Sequence, residues 1–333
     1  MKAIVIRTAG GADVLRLEDL DIPEPQPGQA RVHLKAAALN HRDIWQRKAY
    51  AGSAPMVLGS DGAGTVAAVG RPADSAWVGK EVVINPSLYW GEREDAPGHR
   101  FQILGNPTPG TYAESVLVPV ENLAPKPPHL SFQQAAALPL AGLTAWRALF
   151  TQGRLTAGET VLLPGIGSGV ALLALGFAKR AGARVFVTSS SAQKLKDALA
   201  LGADGGVNYS AQDWEEQVRK LAGADGIDLV MDHSGAQTLP AALRLVRPGG
   251  RIVFFGATTG PQVSFGLRDA FFKQVHLIGT TMGSPREFDA LFRFIAHARF
   301  VPDVRHVYPL REAPAAHALM ETGAQFGKVV LDI

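Results

Sequence analysis

The spacing of apolar residues changes along the chain. In the first third, short apolar runs such as KAIVIR, ARVHLKAAAL, KEVVIN and YAESVLV alternate with Gly and Pro. Runs of this length bounded by turn residues are typical of strands, so this region is predicted to be a compact, mostly antiparallel β unit. A stretch rich in Gly and Pro, from Pro86 to Gly110, interrupts the pattern and is predicted to form a surface lobe.

The middle of the chain alternates strand-like with helix-like segments. ETVLLP, ARVFVT, IDLVMD and GRIVFFG are continuous apolar runs, and helical patterns such as AQKLKDALALG separate them. This order predicts parallel strands joined by helices that cover both faces of the sheet. The tail returns to a helix, REFDALFRFIAHAR, and then to RHVYPL and GKVVLDI. The predicted fold class is therefore α/β, with a doubly wound parallel sheet in addition to a mostly β unit.

Length and composition narrow the functional classes. A chain of 333 residues is expected to form two domains, and its 47% apolar content supports a large core. The net charge of +3, without a run of Lys or Arg, does not favour a nucleic-acid or membrane partner. No apolar stretch approaches the roughly 20 residues of a membrane span, and the first residues lack the apolar region of a signal peptide.

The chain has no cysteine. This excludes disulfides, thiol nucleophiles, iron–sulfur clusters and zinc sites built on thiolates. It also suits a cytoplasmic location, which we expect for this protein. The nine histidines form no HExxH motif or other close pair, so no metal role is expected.

A glycine-rich turn, GIGSGVA, begins at Gly165 between a predicted strand and a predicted helix. Alternating glycines let the backbone approach a ligand closely, and a helix N-terminus offers free N–H groups to an anion. The match to the dinucleotide-binding pattern GxGxxG is not strict, although Ala171 is small enough for close packing of helix on strand. The turn predicts a dinucleotide site, and the alternative is an ordinary tight turn between strand and helix.

The next predicted strand ends in VTSSS, and Lys194 follows. This is about 20 residues past the turn, where NAD-binding folds carry an acidic residue for the ribose 2′-hydroxyl. The chain has no acid there. Serine hydroxyls can donate to a 2′-phosphate and Lys194 adds a positive charge, so the pattern favours NADPH. The serines could also only cap the following helix, and both interpretations can hold together.

Three further polar segments are candidates for chemistry: NHRD, which begins at Asn40, GSDG, and LAGLTA, which contains Thr144. The residues alone leave simpler interpretations open. Asn40 could be only a helix N-cap, Asp43 a partner of the helix dipole, and Thr144 a helical residue with a satisfied hydroxyl.

The order of these segments resembles the medium-chain dehydrogenase/reductase superfamily across essentially the whole chain. The matching motifs, besides the glycine-rich turn, are VLRLEDLDIPEPQPGQARVHLKAAALNHRD, LGSDGAGTVAAVG, GTYAESVLVP, AALPLAGLTAWRAL, VMDHSGAQTL, RPGGRIVFFGA and FGKVVL. The resemblance implies a GroES-like catalytic domain, split in sequence into 1–125 and 284–333. It also implies a Rossmann dinucleotide-binding domain at 126–283.

The chain differs from the zinc alcohol dehydrogenases of this superfamily at the positions of the zinc ligands. Those enzymes bind zinc through Cys, His, and Cys or Glu at three separate positions. The resemblance places Asn40, Ser60 and Leu140 of this chain at those positions. A leucine cannot bind zinc, so we expect no metal. The lobe retains four potential zinc ligands, for which solvated surface charge is the favoured interpretation: Glu92, Glu94, Asp95 and His99.

The chain instead resembles the zinc-independent quinone oxidoreductases at Asn40, Asp43, Arg47 and the GSD run. Tyr50 falls near a tyrosine that those enzymes place at the substrate. The resemblance implies four catalytic residues: Asn40, Asp43, Tyr50 and Thr144. Asn40 and Tyr50 are the candidate donors to the substrate oxygen, and Thr144 is expected near the nicotinamide ribose or carboxamide.

The resemblance also implies a set of cofactor-binding residues. The pyrophosphate is expected at Gly167, Ser168, Gly169 and Val170. The 2′-phosphate is expected at Ser189, Ser190, Lys194 and Tyr209. The far wall of the cofactor channel is expected at Ser234, Gly235, Gly256, Ala257, Thr258, Met282 and Gly283. Lys328 is expected close to the phosphates.

The expected reaction is hydride transfer from C4 of NADPH to a quinone or an α,β-unsaturated carbonyl, both small-molecule substrates. The cofactor carries this chemistry, and without zinc ligands the oxidation of a simple alcohol lacks its Lewis acid. The alternatives are an NADPH-binding protein with little turnover and, less favoured, an alcohol dehydrogenase. The apolar segment 274–281 predicts an edge strand that pairs with a second copy in a homodimer.

Overall fold

The computed structural model describes all 333 residues. The chain divides into two compact units: the first is Met1–Leu143 with Gly283–Ile333, and the second is Thr144–Met282. None of the helices is both long and apolar enough to cross a membrane.

The first 143 residues are rich in strands, numbered here along the chain. The strands are β1 (Lys2–Ile6), β2 (Arg16–Asp19), β3 (Gln29–Ala38), β4 (Met56–Val57), β5 (Asp61–Val69), β6 (Glu81–Ile84), β7 (Ser87–Leu88), β8 (Gln102–Ile103), β9 (Ser115–Pro119) and β10 (Leu123–Pro125). The helices are α1 (His41–Lys48), α2 (Phe132–Ala136) and α3 (Pro139–Trp146), with 3-10 turns at Ala12–Val14, Pro72–Trp77 and Val120–Asn122.

The second unit alternates strands and helices, as its sequence predicts. The strands are β11 (Thr160–Leu163), β12 (Arg184–Ser189), β13 (Gly205–Asn208), β14 (Ile227–Asp232), β15 (Val246–Phe254) and β16 (His276–Gly279). The helices are α4 (Gly169–Arg180), α5 (Ala192–Ala200), α6 (Trp214–Ala222), α7 (Leu239–Leu245) and α8 (Leu267–Phe272), and a π-helical turn spans Arg147–Gln152.

The last part of the chain returns to the first unit. Its elements are α9 (Pro285–His297), β17 (His306–Pro309), a 3-10 turn (Leu310–Glu312), α10 (Ala313–Thr322) and β18 (Val329–Asp332). The β18 strand pairs antiparallel with β3, with Val330 opposite Ala38. The tail therefore completes the sheet that the first third of the chain begins.

The first unit contains a seven-stranded sheet in the order β10-β6-β5-β3-β18-β17, with β9 also paired to β3. A three-stranded sheet, β2-β1-β4, and a pair, β7-β8, complete it. Strand β3 alternates buried with more exposed positions over most of its length, and two buried apolar clusters form the core of the unit. The predicted lobe is anchored by Trp90, which is 2% exposed, while most residues from 91 to 100 are exposed.

The second unit is a six-stranded parallel sheet in the order β13-β12-β11-β14-β15-β16. The chain moves outward from β11 through β12 to β13, and then restarts on the other side of β11 at β14. This reversal is the arrangement of a doubly wound sheet. The predicted fold class is thereby confirmed.

The first domain boundary differs from the prediction. Residues 126–143 belong to the first unit, whereas the sequence assigned them to the dinucleotide-binding domain. The reason lies in α2, which packs against β3, β5 and β18 of the first unit. A short apolar helix has the same sequence pattern in either domain, and only its packing partner decides the assignment.

Candidate active site

Three polar residues of the first unit form a buried cluster, which we call the Lys328 cluster: Asn40, Asp61 and Lys328. Asn40 follows β3, Asp61 begins β5 and Lys328 precedes β18. Because β3 lies between β5 and β18 in the sheet, these strand ends meet. The side chains come from positions up to 288 residues apart in the sequence.

The ammonium of Lys328 is fully bonded within this cluster. Its Nζ lies 2.6 Å from the Leu39 carbonyl oxygen, 2.7 Å from Asn40 Oδ1 and 2.8 Å from Asp61 Oδ2. A lysine has three N–H donors, so all are used, and the residue is only 5% exposed. This differs from the prediction that Lys328 lies close to cofactor phosphates, because no proton remains to donate to them.

Asn40 is held from two sides. Its Oδ1 accepts from Lys328, and its Nδ2 donates to Asp61 Oδ2 over 3.0 Å. The other oxygen of Asp61 accepts from the backbone N–H of Leu140 over 2.7 Å. Asn40 occupies the N-cap position of α1, but these side-chain bonds give it a further role in the cluster. One hydrogen of its Nδ2 remains beyond the bond to Asp61.

Asp43 and Tyr112 support the backbone of Asn40 from the interior. Asp43 Oδ2 accepts from the Asn40 N–H over 2.8 Å and from the Tyr112 hydroxyl over 2.7 Å. Asp43 and Tyr112 are both fully buried. Burial raises the pKa of Asp43, and burial together with the Asp43 carboxylate raises the pKa of Tyr112 well above its ordinary value. Asp43 therefore positions Asn40, and the prediction of a catalytic role is replaced by a supporting one.

Tyr112 was missed in the sequence because an isolated tyrosine between strand-like runs looks like an ordinary core residue. Two of the predicted catalytic residues, Tyr50 and Thr144, lie outside the Lys328 cluster. The Tyr50 hydroxyl donates to the Ala54 carbonyl of its own loop and not to the Lys328 cluster. Thr144 lies in α3, is 5% exposed and is the first residue of the second unit. Its predicted contact with the nicotinamide stays a prediction.

The residues at the three zinc-ligand positions do not fit zinc. The oxygen of Asn40 already faces an ammonium, the Ser60 hydroxyl donates to the Leu104 carbonyl over 2.6 Å, and Leu140 presents hydrocarbon. An adjacent ammonium would also repel a metal cation. No group of three His, Asp or Glu side chains in the structure is arranged to hold a metal ion.

Two acids of the lobe, Glu94 and Asp95, have partners within the protein. Glu94 accepts from the Ser284 hydroxyl over 2.5 Å, and Asp95 forms an ion pair with Arg93. This is consistent with the interpretation that these carboxylates act as polar contacts and surface charge.

The second unit presents the glycine-rich turn at the carboxyl end of β11. Gly165 has φ +67° and Gly167 has φ +121°, conformations that L side chains rarely adopt. The Ser168 hydroxyl caps α4 by accepting from the Ala171 N–H over 3.3 Å. The predicted pyrophosphate residues thus lie in the turn and first helical residues, where free N–H groups favour an anion.

Lys194 lies across this turn. A Cβ built on Gly167 would stand 2.8 Å from Lys194 Cδ and 3.2 Å from its Nζ. Burial lowers the pKa of the Lys194 ammonium. A side chain at position 167 would displace this lysine.

Hydroxyl groups at the carboxyl ends of β12 and β13 lie close together. Tyr209 donates to Ser190 Oγ over 3.1 Å, and Ser189 Oγ accepts from the Ser191 N–H over 3.1 Å. Ser191 caps α5 by accepting from the Lys194 N–H over 3.3 Å. Capping therefore falls to Ser191, while Ser190 and Tyr209 bring two exposed hydroxyls together. Their contact with a 2′-phosphate stays a prediction.

The loops after β14 and β15 meet closely at the same edge of the sheet. Asp232 Oδ1 accepts from the N–H groups of Ser234 and Gly235. A Cβ on Gly256 would lie 2.5 Å from the His233 carbonyl oxygen, so only glycine fits there. Ser234, Gly256, Ala257 and Thr258 lie in these two loops, and their place in the far wall of a cofactor channel stays a prediction. Met282, which has φ +44° and is 3% exposed, is the last residue of the second unit.

Two family models match parts of the chain. A family model described as "Alcohol dehydrogenase GroES-like domain" matches residues 26–128. A second, "Zinc-binding dehydrogenase", matches residues 169–297. The chain is 36% identical to "Zinc-type alcohol dehydrogenase-like protein YogA" of Leptosphaeria maculans, over 96% of this chain and 94% of the relative. It is 28% identical to "Quinone oxidoreductase" of Rattus norvegicus, over 99% and 97% of the two chains.

Solved structures share the whole architecture. One, "Crystal Structure of NAD-dependent alcohol dehydrogenase", is 44% identical, covers 100% of both chains and has a TM-score of 0.93. A carboxylase reductase solved with NADP and 2-octenoyl-CoA is 27% identical, covers 99% of this chain and 87% of the other, and has a TM-score of 0.88. The chain therefore belongs to the medium-chain dehydrogenase/reductase superfamily of oxidoreductases.

Proposed function

We propose that this oxidoreductase transfers a hydride from NADPH to a quinone or an α,β-unsaturated carbonyl without zinc. The observation that carries the proposal is the Lys328 cluster, in which an ammonium is bonded to Asn40 at a zinc-ligand position. Quinones and enones spread negative charge into a conjugated oxygen, so hydrogen-bond donors suffice where an alcohol needs a Lewis acid. Two relatives support this proposal by their names: one is a rat quinone oxidoreductase, and the other is a reductase solved with the α,β-unsaturated 2-octenoyl-CoA.

Asn40 is the proposed donor to the substrate oxygen. Because an ammonium can only donate, Lys328 must face Oδ1 of Asn40, which fixes the orientation of the amide. One Nδ2 hydrogen goes to Asp61, and the second is the one proposed to bond the oxygen on which charge develops. Asp43 and Tyr112 hold the backbone beneath this amide.

The bound cofactor supplies the hydride. In an enone, the hydride forms a C–H bond at the β carbon, and a proton completes the α carbon. In a quinone, hydride and proton together give the hydroquinone. We assign the proton to water, since the Tyr50 hydroxyl is already donated to Ala54.

The preference for NADPH is proposed from the second unit. Ser190 and Tyr209 offer two neighbouring hydroxyls, and Lys194 brings a positive charge to the glycine-rich turn. No carboxylate follows β12 to accept from a ribose 2′-hydroxyl and repel a phosphate.

A second candidate is alcohol oxidation with NAD. The observation in its favour is the likeness to the 44% identical structure, which is named as an NAD-dependent alcohol dehydrogenase. The absence of a fitting zinc ligand set is the argument against it, because the alkoxide would lack its Lewis acid.

A cytoplasmic homodimer is also proposed. Strand β16 lies at the edge of the parallel sheet, and an unpaired edge is a template for another strand. On the nearby helix α8, Leu267 is 70% exposed, Phe271 59% and Phe272 66%. A second copy paired by two-fold symmetry would cover these side chains, and light scattering at micromolar concentration tests it.

One set of assays tests the function. The purified protein is analysed for zinc, and NADPH oxidation is followed with 9,10-phenanthrenequinone, benzoquinones and a 2-alkenal, with and without chelator. We expect turnover that chelators leave unchanged, and only trace zinc, far below one ion per chain. Stoichiometric zinc lost together with activity would support the alcohol dehydrogenase. Tight NADPH binding with no turnover of any acceptor would support a binding protein.

A further inference from the structure

The imidazole of His233 lies directly against the glycine-rich turn. A Cβ built on Gly165 would stand 2.9 Å from His233 Cε1 and 3.4 Å from Nε2. The ring also stacks on Phe255, with centroids 6.3 Å apart and planes 19° apart. Turn and imidazole therefore form one continuous surface at the carboxyl edge of the sheet.

The backbone around His233 is held in place. Its carbonyl oxygen accepts from the Thr258 N–H over 3.4 Å. The carboxylate of the preceding residue, Asp232, accepts from the N–H groups of Ser234 and Gly235. His233 is thus fixed by its neighbours, and its ring remains half-buried.

The position of His233 in the sheet indicates which half of a bound dinucleotide its ring would contact. The strand order reverses between β11 and β14, and dinucleotides cross such a reversal with one mononucleotide half on each side. Ser190 and Tyr209, at the ends of β12 and β13, lie on the adenosine side. His233 follows β14, on the opposite side of the turn, which is the side of the nicotinamide half.

The imidazole is suited to a neutral contact. Burial lowers the pKa of His233, an effect that Asp232 partly opposes. At neutral pH the ring is uncharged and keeps one N–H donor. A ribose hydroxyl, which can accept as well as donate, matches such a group.

We propose that His233 binds the nicotinamide ribose of the dinucleotide and orients that half of the cofactor against the glycine-rich turn. The inference rests on the proposed nicotinamide cofactor and goes beyond it by assigning a residue to one half of the molecule. It does not depend on the preference between NADPH and NADH, because both share this ribose.

The test compares whole cofactors with fragments that lack the nicotinamide half. Dissociation constants are measured by fluorescence for NADPH and NADH, and by calorimetry for 2′,5′-ADP and ADP. The variants are His233→Val, which removes the donor, and His233→Asn, which restores one. Ser190→Ala serves as the matched control on the adenosine side, and thermal melting confirms that each variant is folded.

For His233→Val we expect Kd to rise about tenfold for both NADPH and NADH, about 1.4 kcal/mol, and to stay within about twofold for 2′,5′-ADP and ADP. His233→Asn should recover part of the loss. Ser190→Ala should instead weaken NADPH and 2′,5′-ADP together.

An equal loss for the fragments and the whole cofactors in His233→Val would show that the ring only supports the turn, and would overturn the proposal. Unchanged Kd values for every ligand would overturn it as well. If the wild-type protein binds neither NADPH nor NADH, the proposed function fails and the assignment of His233 fails with it.

Discussion

The polar groups of the two units are arranged in opposite ways. In the first unit, Asn40, Asp61 and Lys328 bond mainly to one another and are buried, with one amide hydrogen left over. In the second unit, the glycine-rich turn and the paired hydroxyls of Ser190 and Tyr209 lie at the carboxyl ends of the parallel strands, where Ser190 and Tyr209 are exposed. The first arrangement fixes the orientation of one donor. The second presents two exposed hydroxyls and the N–H groups at the start of α4, which favour an anion. Substitutions in the first unit should therefore cost stability or turnover, and those in the second should cost affinity.

The largest effect is expected for Lys328→Met, which leaves the buried carboxylate of Asp61 without its cation. Removing one partner of a buried ion pair typically costs about 3–5 kcal/mol, and we expect a loss of this size in the free energy of unfolding measured with urea. Lys2→Met, which removes the exposed pair with Asp19, is the control and should change little. A loss below about 1 kcal/mol in Lys328→Met would contradict the view that the cluster is held by this pair.

The second prediction concerns acid sensitivity of the first unit. His317 is fully buried between Arg47, which donates to its Nδ1 over 3.1 Å, and Tyr112, whose ring meets it edge-on. Burial and the Arg47 charge lower the pKa of His317 to about 3, while Glu321 opposes the shift. The folded state thus binds fewer protons than the unfolded state between about pH 3 and 6.5, so stability falls as pH falls through this window.

From pH 7 to pH 5 this group alone should remove about 2 kcal/mol from the free energy of unfolding. His317→Gln keeps an acceptor for Arg47 and does not titrate, so its stability should depend less on pH by that amount. Urea unfolding at both pH values measures the difference between the two proteins. Identical pH dependence in wild type and variant would refute the assignment.

The third prediction isolates the donor of the first unit. Asn40→Ser and Asn40→Asp both keep a good N-cap for α1, but Ser is too short to reach and Asp places an anion beside Asp61. We expect kcat for quinone reduction to fall roughly tenfold or more, most in Asn40→Asp, while the Kd of NADPH changes little. Steady-state kinetics measure kcat, and fluorescence titration measures the Kd of NADPH. Unchanged kcat in Asn40→Asp would leave Asn40 with a capping role alone.

The smallest effect is expected in the second unit. Ser190→Ala removes one hydroxyl of the Ser190–Tyr209 pair, which is proposed to bond the 2′-phosphate. Losing one such bond should weaken NADPH by about 1 kcal/mol, or roughly fivefold, and leave NADH unchanged. Equal weakening of both cofactors would place the phosphate elsewhere, and Lys194→Ala would then show whether the ammonium binds it instead.

Local patterns of the sequence predicted the second unit well. The alternation of apolar runs and helical segments predicted which segments form strands and which form helices, and the glycines of the turn before α4 adopt the conformations that favour glycine. One of the serines after β12, Ser191, caps α5, which agrees with the capping interpretation of these serines. These features follow from residues close together in the chain.

The first unit was predicted less completely. The sequence identifies Asn40 as a candidate, but it places the partner Lys328 at the phosphates and gives no signal for Tyr112. Tyr50 was predicted as a donor, although its hydroxyl bonds the carbonyl of Ala54. Residues 126–143 were assigned to the other domain, whereas α2 packs on strands of the first unit.

Several features follow from composition or from neighbours in the chain and can therefore be predicted from the sequence: the strand and helix periods, the absence of thiolate chemistry and the position of the glycine-rich turn. Which side chains share a site depends instead on how distant segments pair in the folded chain. Strand β18 pairs with β3 across most of the chain's length, and this register brings Lys328 to Asn40. The end of β14 likewise brings His233 to Gly165. Such meetings depend on sheet order and register, which no local pattern specifies.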